Sequence, residues 1–227
     1  AVPVRDYSIV ESAKSGWDLT SAVCSDRSSI SAIRLDAGET VTCVFTNTKR
    51  AQLTITKDAI DNDAEDFRFA TNFDASPSYG YQSSFDLDDD SNGTLPNTRS
   101  FSLVPGAYTV QEAAEDHWKL TGLVCTDEDA DNLDARQIAV NLEAGEEVVC
   151  TFTNTKLGKI EGYKFDDRDG DGRRDEHESK LNGWKIFIDQ NENSRLDDGE
   201  PSDVTSGNFW TFALGAYAFD GLLPGEY

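Results

Sequence analysis

The sequence predicts an all-β protein built from tandem antiparallel β-sandwich domains. Short runs of alternating apolar and polar residues are separated by turns rich in glycine, proline and aspartate. An internal repeat of roughly 100 residues has the length of one sandwich domain. No stretch of the chain shows helical periodicity.

The repeat consists of two blocks. The second block aligns residues 37–49 with residues 144–156 at a spacing of 107, because the loop before it is longer. The first block aligns without a gap at a spacing of 101 and pairs Tyr7, Glu11, Trp17, Leu19, Thr20, Cys24 and Asp26 with Tyr108, Glu112, Trp118, Leu120, Thr121, Cys125 and Asp127.

These blocks divide the chain into three parts. Residues 50–157 form a complete repeat, residues 1–49 match the C-terminal half of a repeat, and residues 158–227 match the N-terminal half. We expect residues 158–227 to make one whole domain with residues 1–49 of a neighbouring copy. In the alternative, the two halves belong to one continuous tandem-repeat polypeptide.

Each predicted strand is a short run rich in β-branched and aromatic residues, which favour pleated structure. In chain order the runs are Y-S-I-V-E (7–11), L-T-I-T-K (53–57), F-S-L-V-P-G-A-Y-T-V-Q-E (101–112), C-T-F-T-N-T-K (150–156), I-E-G-Y-K-F (160–165) and G-W-K-I-F-I (183–188).

Two twelve-residue calcium loops occur within residues 158–227. Oxygen ligands occupy loop positions 1, 3, 5, 9 and 12, and the residue at position 7 offers its main-chain carbonyl. The first loop has Asp167, Asp169, Asp171, Arg173, Asp175 and Glu178 at these positions, and the second has Asp189, Asn191, Asn193, Arg195, Asp197 and Glu200.

The loops differ at position 6, where Gly172 permits the sharp turn and Ser194 replaces glycine, so the second site is expected to be strained and weaker. The flanking runs are strand-like rather than helical, so calcium would join strand ends instead of opening a helix pair. The alternative interpretation of both loops is an acidic, turn-rich linker.

Composition limits the classes of partner. The chain has 43 acidic and 20 basic residues and a net charge of −23, which repels nucleic acid and anionic membranes and attracts cations. With 37% hydrophobic residues it is not a disordered acidic tail. No apolar stretch has the length of a membrane span, and no signal peptide is visible.

The four cysteines occupy equivalent positions in the repeat. An even number, one pair per repeat and no C-x-x-C spacing favour disulfides over zinc, and therefore an oxidising compartment. We expect the pairs Cys24–Cys43 and Cys125–Cys150, and the alternative is buried free thiols.

The middle repeat resembles the prealbumin-like (collagen-adhesin B-type, transthyretin-like) repeats of bacterial surface proteins, through L-T-I-T-K-D-A (53–59), F-S-L-V-P-G-A-Y-T-V-Q-E (101–112) and C-T-F-T-N-T-K (150–156). Residues 158–227 resemble the calcium-binding B repeats of serine-aspartate-repeat adhesins, through G-Y-K-F-D-D-R-D-G-D-G, G-W-K-I-F-I-D-Q-N and L-L-P-G-E-Y. Both families are tandem extracellular sandwich modules of stalks, pilus subunits or adhesin shafts.

Strand parity places three polar residues on apolar faces. Lys57, Glu112 and Asn154 share parity with Leu53, Val110 and Phe152, because alternate strand residues face the same way. The resemblance implies that the lysine and asparagine form an isopeptide bond promoted by the glutamate. In the alternative, the amine of Lys57 and the amide of Asn154 both lie in solvent at strand ends. Glu11 and Asn47 repeat the acid and amide, and their lysine would precede residue 1.

The remaining polar features do not indicate a specific catalytic site. The acidic clusters 58–66 and 86–90 could bind a further calcium ion, but we see no loop spacing in them, so they are interpreted as solvated turns. His117 and His177 are isolated, and no hydrolase motif accompanies them, so an enzyme has no positive support.

We therefore expect an extracellular structural module of a surface rod, stalk or filament, stiffened by calcium and disulfides. Its partners would be copies of itself or adjacent repeats, arranged head to tail. The alternative function is an adhesin domain that binds a surface ligand through its loops, which predicts a groove or an exposed aromatic patch.

Overall fold

The computed structural model describes residues 6–60, 65–73, 83–90, 92–126, 131–207 and 214–227. Seventeen strands and no helix lie in these ranges, so the all-β prediction is confirmed. None of these residues belongs to a helix that could cross a membrane. The chain divides into two compact units: Ala1–Ala113 with Leu120–Asn154, and Ala114–Lys119 with Thr155–Tyr227.

The middle repeat forms two layers. A four-stranded sheet has the order β10-β13-β5-β8, and a five-stranded sheet has the order β11-β12-β9-β6-β7. The strands of these layers are β5 (Ala51–Ile60), β6 (Phe67–Thr71), β7 (Ser84–Leu87), β8 (Thr98–Leu103), β9 (Gly106–Glu112), β10 (Trp118–Cys125), β11 (Asp131–Asn132), β12 (Gln137–Leu142) and β13 (Glu147–Lys156).

The core lies between these sheets. Along β5, buried residues alternate with more exposed ones, as expected for a strand with one face on the core. Aromatic rings join the layers: Phe69 of β6 contacts Phe152 of β13 edge to face at 5.1 Å, and Phe85 of β7 lies 5.0 Å from Phe101 of β8.

The first and last strands of the middle repeat, β5 and β13, are neighbours that run in the same direction. The Gln52 N–H donates to the carbonyl of Glu146 at one end of the pair. Toward the other end, Thr153 donates to the Asp58 carboxylate. Because both contacts advance together along the two strands, this pair is parallel, whereas the strand pairs β5–β8, β6–β7, β6–β9 and β9–β12 are antiparallel.

Residues 6–49 repeat the strand pairing of the second half of the middle repeat. They contain β1 (Asp6–Tyr7), β2 (Trp17–Cys24), β3 (Ile33–Arg34) and β4 (Cys43–Lys49). Tyr7 pairs with Ile33 in β1–β3, as the equivalent Tyr108 pairs with Val140 in β9–β12. β2 pairs with β4, as β10 neighbours β13.

Residues 158–227 repeat the pairing of the first half. They contain β14 (Gly158–Tyr163), β15 (Lys185–Phe187), β16 (Ser202–Val204) and β17 (Ala216–Leu222). Gly158 pairs with Leu222 as Ala51 pairs with Leu103. The tyrosine that follows this strand also makes one bond in both places: Tyr227 donates to the Leu223 carbonyl, and Tyr108 donates to the Val104 carbonyl.

Both predicted disulfides are present. Cys24 and Cys43 face each other at the end of the β2–β4 pair, and Cys125 and Cys150 join β10 to β13. There is no free cysteine. Of the predicted repeat matches, Asp127 lies outside the described residues, as do residues 61–64 of one acidic cluster.

Candidate functional sites: a buried amine cluster and two acidic loops

Three polar side chains meet in the core of the middle repeat. Lys57 of β5, Glu112 of β9 and Asn154 of β13 are 1%, 1% and 3% exposed. The residue two positions before each of them is apolar and buried (Ile55, Val110 and Phe152), so strand alternation directs the polar residue inward as well. The structure therefore brings together the three residues that sequence parity placed on the core face.

Their polar atoms contact one another and the main chain. Lys57 Nζ lies 3.8 Å from Glu112 Oε1 and donates to the carbonyls of Asp58 and Phe152 at 2.8 and 3.2 Å. Asn154 Nδ2 donates to Glu112 Oε2 at 3.2 Å. The glutamate therefore bridges the amine and the amide.

Burial changes the protonation of this amine. Loss of hydration lowers the pKa of Lys57 to about 8, although the negative charges of Glu112, Asp58 and Asp89 oppose the shift. The Lys57 ammonium also lies over the ring of Phe67, at 4.0 Å from its centroid. Asn154 Oδ1 is buried without a hydrogen-bond partner among the described residues. The Lys57 amine loses its proton easily, and it lies in the same cluster as the Asn154 amide, which is hydrogen-bonded to the Glu112 carboxyl group. This arrangement is suited to nucleophilic attack of the amine on the amide.

The acid and amide recur in residues 6–49, but in an exposed position. Asn47 Nδ2 donates to Glu11 Oε1 at 2.7 Å, as Asn154 donates to Glu112. The sequence match at this pair of positions therefore extends to the hydrogen bond.

The first acidic loop, residues 167–178, folds so that its carboxylates converge. Ligand atoms of Asp167, Asp169 and Asp171 lie within 4.8 Å of one another. Glu178 is buried, and it accepts the N–H groups of Arg168 and Asp175, which fixes the last loop position against positions 2 and 9.

Asp175 faces the same carboxylates. Partial desolvation raises the pKa of this side chain, and the charges of the four other candidate ligands with carboxylates, Asp171, Asp169, Glu178 and Asp167, raise it further.

The second loop, residues 189–200, has the same internal bonds. Glu200 accepts the N–H groups of Gln190 and Asp197, again at positions 2 and 9. Position 1 accepts from position 6 in both loops: Asp167 from Gly172, and Asp189 from Ser194. Ser194 has a φ of 61° where Gly172 has 77°, so a residue with a side chain adopts the left-handed conformation in the second loop.

The donor chemistry of both loops fits a hard divalent cation. All candidate ligands are oxygens, and calcium takes six to eight of them at flexible geometry. The side chains of Asn191 and Asn193 both contact Asp197 at 2.7 and 2.6 Å, so the ligands of the second loop also converge.

One buried carboxylate was not predicted. Asp88, in the cluster interpreted as a solvated turn, is fully buried, so that interpretation is wrong for this side chain. The sequence carries no signal for its burial, because Asp88 follows Leu87 past the end of β7, where strand alternation no longer applies.

A comparison with family models places the chain in a class. The two-layer sandwich of strands β5–β13 defines an all-β protein with a prealbumin-like fold. The model of the SpaA_4 family, described as a prealbumin-like fold domain, matches residues 2–49 and 53–156. The chain belongs to this family, and the predicted resemblance to prealbumin-like repeats is confirmed over these residues.

Three solved structures are similar to parts of this chain. A streptococcal ancillary pilin has 14% identity and a TM-score of 0.33, with 84% of this chain and 61% of that chain covered. The Bacillus anthracis TIE protein has 18% identity and a TM-score of 0.32, with 82% and 33% covered. The major pilin SpaD from Corynebacterium diphtheriae has 16% identity and a TM-score of 0.28, with 51% and 32% covered.

This chain therefore spans less than two thirds of the length of each of these three proteins. A comparison with curated proteins gave no match.

Proposed function

We propose that this chain is a structural module of an extracellular, pilus-like rod or filament, and that its middle repeat is closed by a covalent bond between Lys57 and Asn154. The observation that carries this proposal is the buried cluster of Lys57, Glu112 and Asn154, which joins the first and last strands of the repeat. Burying charged groups in a core lowers the stability of the fold unless they are paired or react with one another.

The bond forms without an external reagent. The neutral Lys57 amine attacks Cγ of Asn154, the new C–N bond forms, and the bond from Cγ to Nδ2 breaks. Glu112 takes a proton from the attacking amine and gives it to the departing nitrogen, which leaves as ammonia. The hydrogen bond from Asn154 to Glu112 and the short distance from Lys57 to Glu112 support this proton path.

Calcium would stiffen the last segment of the chain. The first loop would bind through Asp167, Asp169, Asp171, Asp175, Glu178 and the carbonyl of Arg173, and the second through Asp189, Asn191, Asn193, Asp197, Glu200 and the carbonyl of Arg195. The bound ion would neutralise like charges that otherwise repel one another. Because the second loop directly follows β15, its ion would fix the end of that strand.

Assembly would complete the two half-repeats. Leu19 is 49% exposed, whereas its counterpart Leu120 in the middle repeat is 7% exposed. Outward-facing counterparts do not differ in this way: Val23 is 60% exposed and Val124 is 67%. Residues 6–49 therefore present a core face that, in the middle repeat, is covered by the other half. A second copy's residues 158–227, or those of an adjacent repeat, have the strand pairing of that other half.

The last segment carries a lysine at the matching position. Lys164 stands 107 residues after Lys57, and its Nζ lies 5.3 Å from the Trp184 ring centroid, as Lys57 lies over Phe67. Joining the halves of two copies would place Lys164 near the Glu11–Asn47 pair. Assembly would then reproduce the amine, acid and amide of the middle repeat between two copies.

An adhesin function is the second candidate, and a concave surface favours it. A cavity of about 840 Å³ in the last segment is lined by Ile160, Ile186, Phe187, Ile188 and Phe219, among other residues. Ile160 pairs with Phe219 after a register shift between Gly158 and Ile160, whereas Leu53 pairs with Phe101 in the middle repeat without a shift. Since Leu53 and Phe101 are buried in the complete sandwich of the middle repeat, the assembly proposal accounts for this apolar surface without a ligand.

The covalent bond is tested by the intact mass of the denatured protein. The expected mass is short by one ammonia, and the Glu112→Ala variant should restore the full mass. Glu147→Ala is the matched control, because it removes an exposed carboxylate from the strand that carries Asn154 and should keep the lower mass. A full mass in the unmodified chain contradicts the proposal.

A further inference from the structure

The turn between β7 and β8 contains a third loop of calcium-binding pattern. Residues 88–93 read D-x-D-x-N-G, the opening six positions of a calcium loop, with Asp88, Asp90 and Asn92 at positions 1, 3 and 5. The pattern extends beyond the acidic cluster 86–90, because it includes Asn92 and Gly93, which follow that cluster.

The loop shares two hydrogen bonds and the backbone conformation at position 6 with the first C-terminal loop. Asp90 Oδ1 accepts the N–H of Asn92 at 2.8 Å, and Asn92 Oδ1 accepts the N–H of Thr94 at 2.7 Å. Residues of the first C-terminal loop make the same bonds at positions 3 and 5. Gly93 at position 6 has a φ of 76°, and Gly172 at position 6 of the first loop has 77°.

An independent observation at Asp88 indicates a ligand. Its side chain is fully buried, and Oδ2 has no hydrogen-bond partner among the described residues. Asp66 lies opposite Asp88, because Phe67 pairs with Leu87 in the antiparallel β6–β7 register, and the Asp90 N–H donates to Asp88 Oδ1 at 2.9 Å. A buried carboxylate beside two others requires either a proton or a cation.

We propose that Asp88, Asp90 and Asn92, together with Asp66, bind a divalent cation, and that calcium is the ion suited to this oxygen-only ligand set. Position 12 of this loop is Arg99, so the closing glutamate of the other loops has no equivalent here. The Arg99 guanidinium lies 5.5 Å from the ring centroids of Phe85 and Phe101. Asp66, just before β6, supplies a carboxylate in place of that glutamate.

The ion would fix the β7–β8 turn to the C-terminal end of β5. Asp89, between the first two ligands, already accepts the N–H of Ala59 on that strand at 2.9 Å. This site lies in the middle repeat and depends neither on the C-terminal loops nor on the Lys57–Asn154 bond.

The experiment uses the full chain with both C-terminal loops disabled by Asp167→Ala and Asp189→Ala. Titration calorimetry with calcium chloride should detect one remaining calcium ion per chain, and calcium should raise the melting temperature of this variant. Adding Asp88→Asn, which keeps the shape of the buried side chain and removes its charge, should abolish both effects. Adding Asp86→Asn should leave them unchanged, because Asp86 lies on β7 before the loop.

The outcomes separate this site from the others. Calcium binding that survives Asp88→Asn, or no calcium binding by the loop-disabled chain, overturns the proposal. The melting temperature of the Asp88→Asn variant in chelator checks that it folds. If the C-terminal loops themselves bind no calcium, the unmodified chain should still bind one ion, through this site.

Discussion

At the scale of single residues, the chemistry depends on side chains whose environment conflicts with their charge. Lys57 was predictable, because strand parity alone places it with Leu53 and Ile55 on the inner face of β5. The depth of its burial was not, because it depends on how closely β6 and β13 approach. Asp88 was not predictable for a related reason: outside regular strands, burial is set by tertiary packing rather than by periodicity.

The free Lys57 amine should give a distinctive pH dependence. In Asn154→Ala, which cannot form the bond, Lys57 keeps a folded-state pKa of about 8, below its ordinary value of 10.5 because of burial. Between about pH 8 and pH 10.5 the unfolded chain binds more protons at Lys57 than the folded chain does. The free energy of unfolding should therefore rise with pH over this range, by up to roughly 3 kcal/mol. Below about pH 8 both states are protonated and this contribution is constant.

Urea unfolding across this pH range measures the effect. The double variant Asn154→Ala with Lys57→Met is the control, because it has the same tyrosines and other lysines and lacks only this amine. Identical pH profiles for the two variants would exclude a depressed pKa at Lys57.

At the scale of elements, the loops and turns follow from local spacing. The positions of Glu178 and Glu200 in the sequence predicted closed loops, and both side chains accept N–H groups at loop positions 2 and 9. The left-handed conformation of Ser194 also follows from its place at position 6. Calcium affinity does not follow from the pattern, since it depends on ligand charge and loop rigidity.

The second loop should bind calcium more weakly than the first. It offers three carboxylates and two amides where the first offers five carboxylates. Converting Asn191 and Asn193 to aspartate should tighten its binding by roughly tenfold, or about 1.4 kcal/mol. Calorimetry measures both sites. Glu192→Gln changes charge at position 4, which holds no ligand, and an equally large effect there would mean that general electrostatics sets the affinity.

Each disulfide should stabilise the part of the chain it joins. Replacing Cys125 and Cys150 by alanine opens a cross-link with a separation of 25 residues and should lower the free energy of unfolding by about 3 kcal/mol. Denaturant unfolding of the variant, compared with the Cys24→Ala, Cys43→Ala variant, measures the two contributions separately. A loss well below 1 kcal/mol would show that strand packing alone holds β10 to β13.

At the scale of the whole molecule, the sequence repeat predicted strand pairing that the structure reproduces in both outer segments. Tyr7 with Ile33 and Gly158 with Leu222 have the registers of their middle-repeat counterparts. The repeat could not predict what covers the exposed inner faces, because that requires knowledge of neighbouring copies. The tandem arrangement and the head-to-tail partner therefore stay predictions.

The chain should self-associate through its half-repeats. Phe45 and Val44 are adjacent on β4 and face opposite sides, and the counterpart of Phe45 is the fully buried Phe152. Phe45→Asp should prevent association measured by sedimentation velocity, and Val44→Asp should not. A head-to-tail contact of this kind is heterologous and need not close, so higher concentration should give longer species.

Covalent joining of these copies has its own signature. If Lys164 reacts with Asn47 of the next copy, a ladder of species should survive boiling in detergent and reductant, and Asn47→Ala should remove it. A chain that remains monomeric at every concentration, or loses association equally in Val44→Asp, contradicts this assembly.

The parallel arrangement of β5 and β13 has a mechanical consequence. Tension applied along the chain enters the middle repeat at Ala51 and leaves at Lys156, which lie at opposite ends of this strand pair. The two strands are therefore loaded in shear, and their hydrogen bonds must break together rather than one after another. A bond from Lys57 to Asn154 would carry the force directly between the strands. The residues from 58 to 153 would then bear no tension, and the repeat could not be extended by pulling.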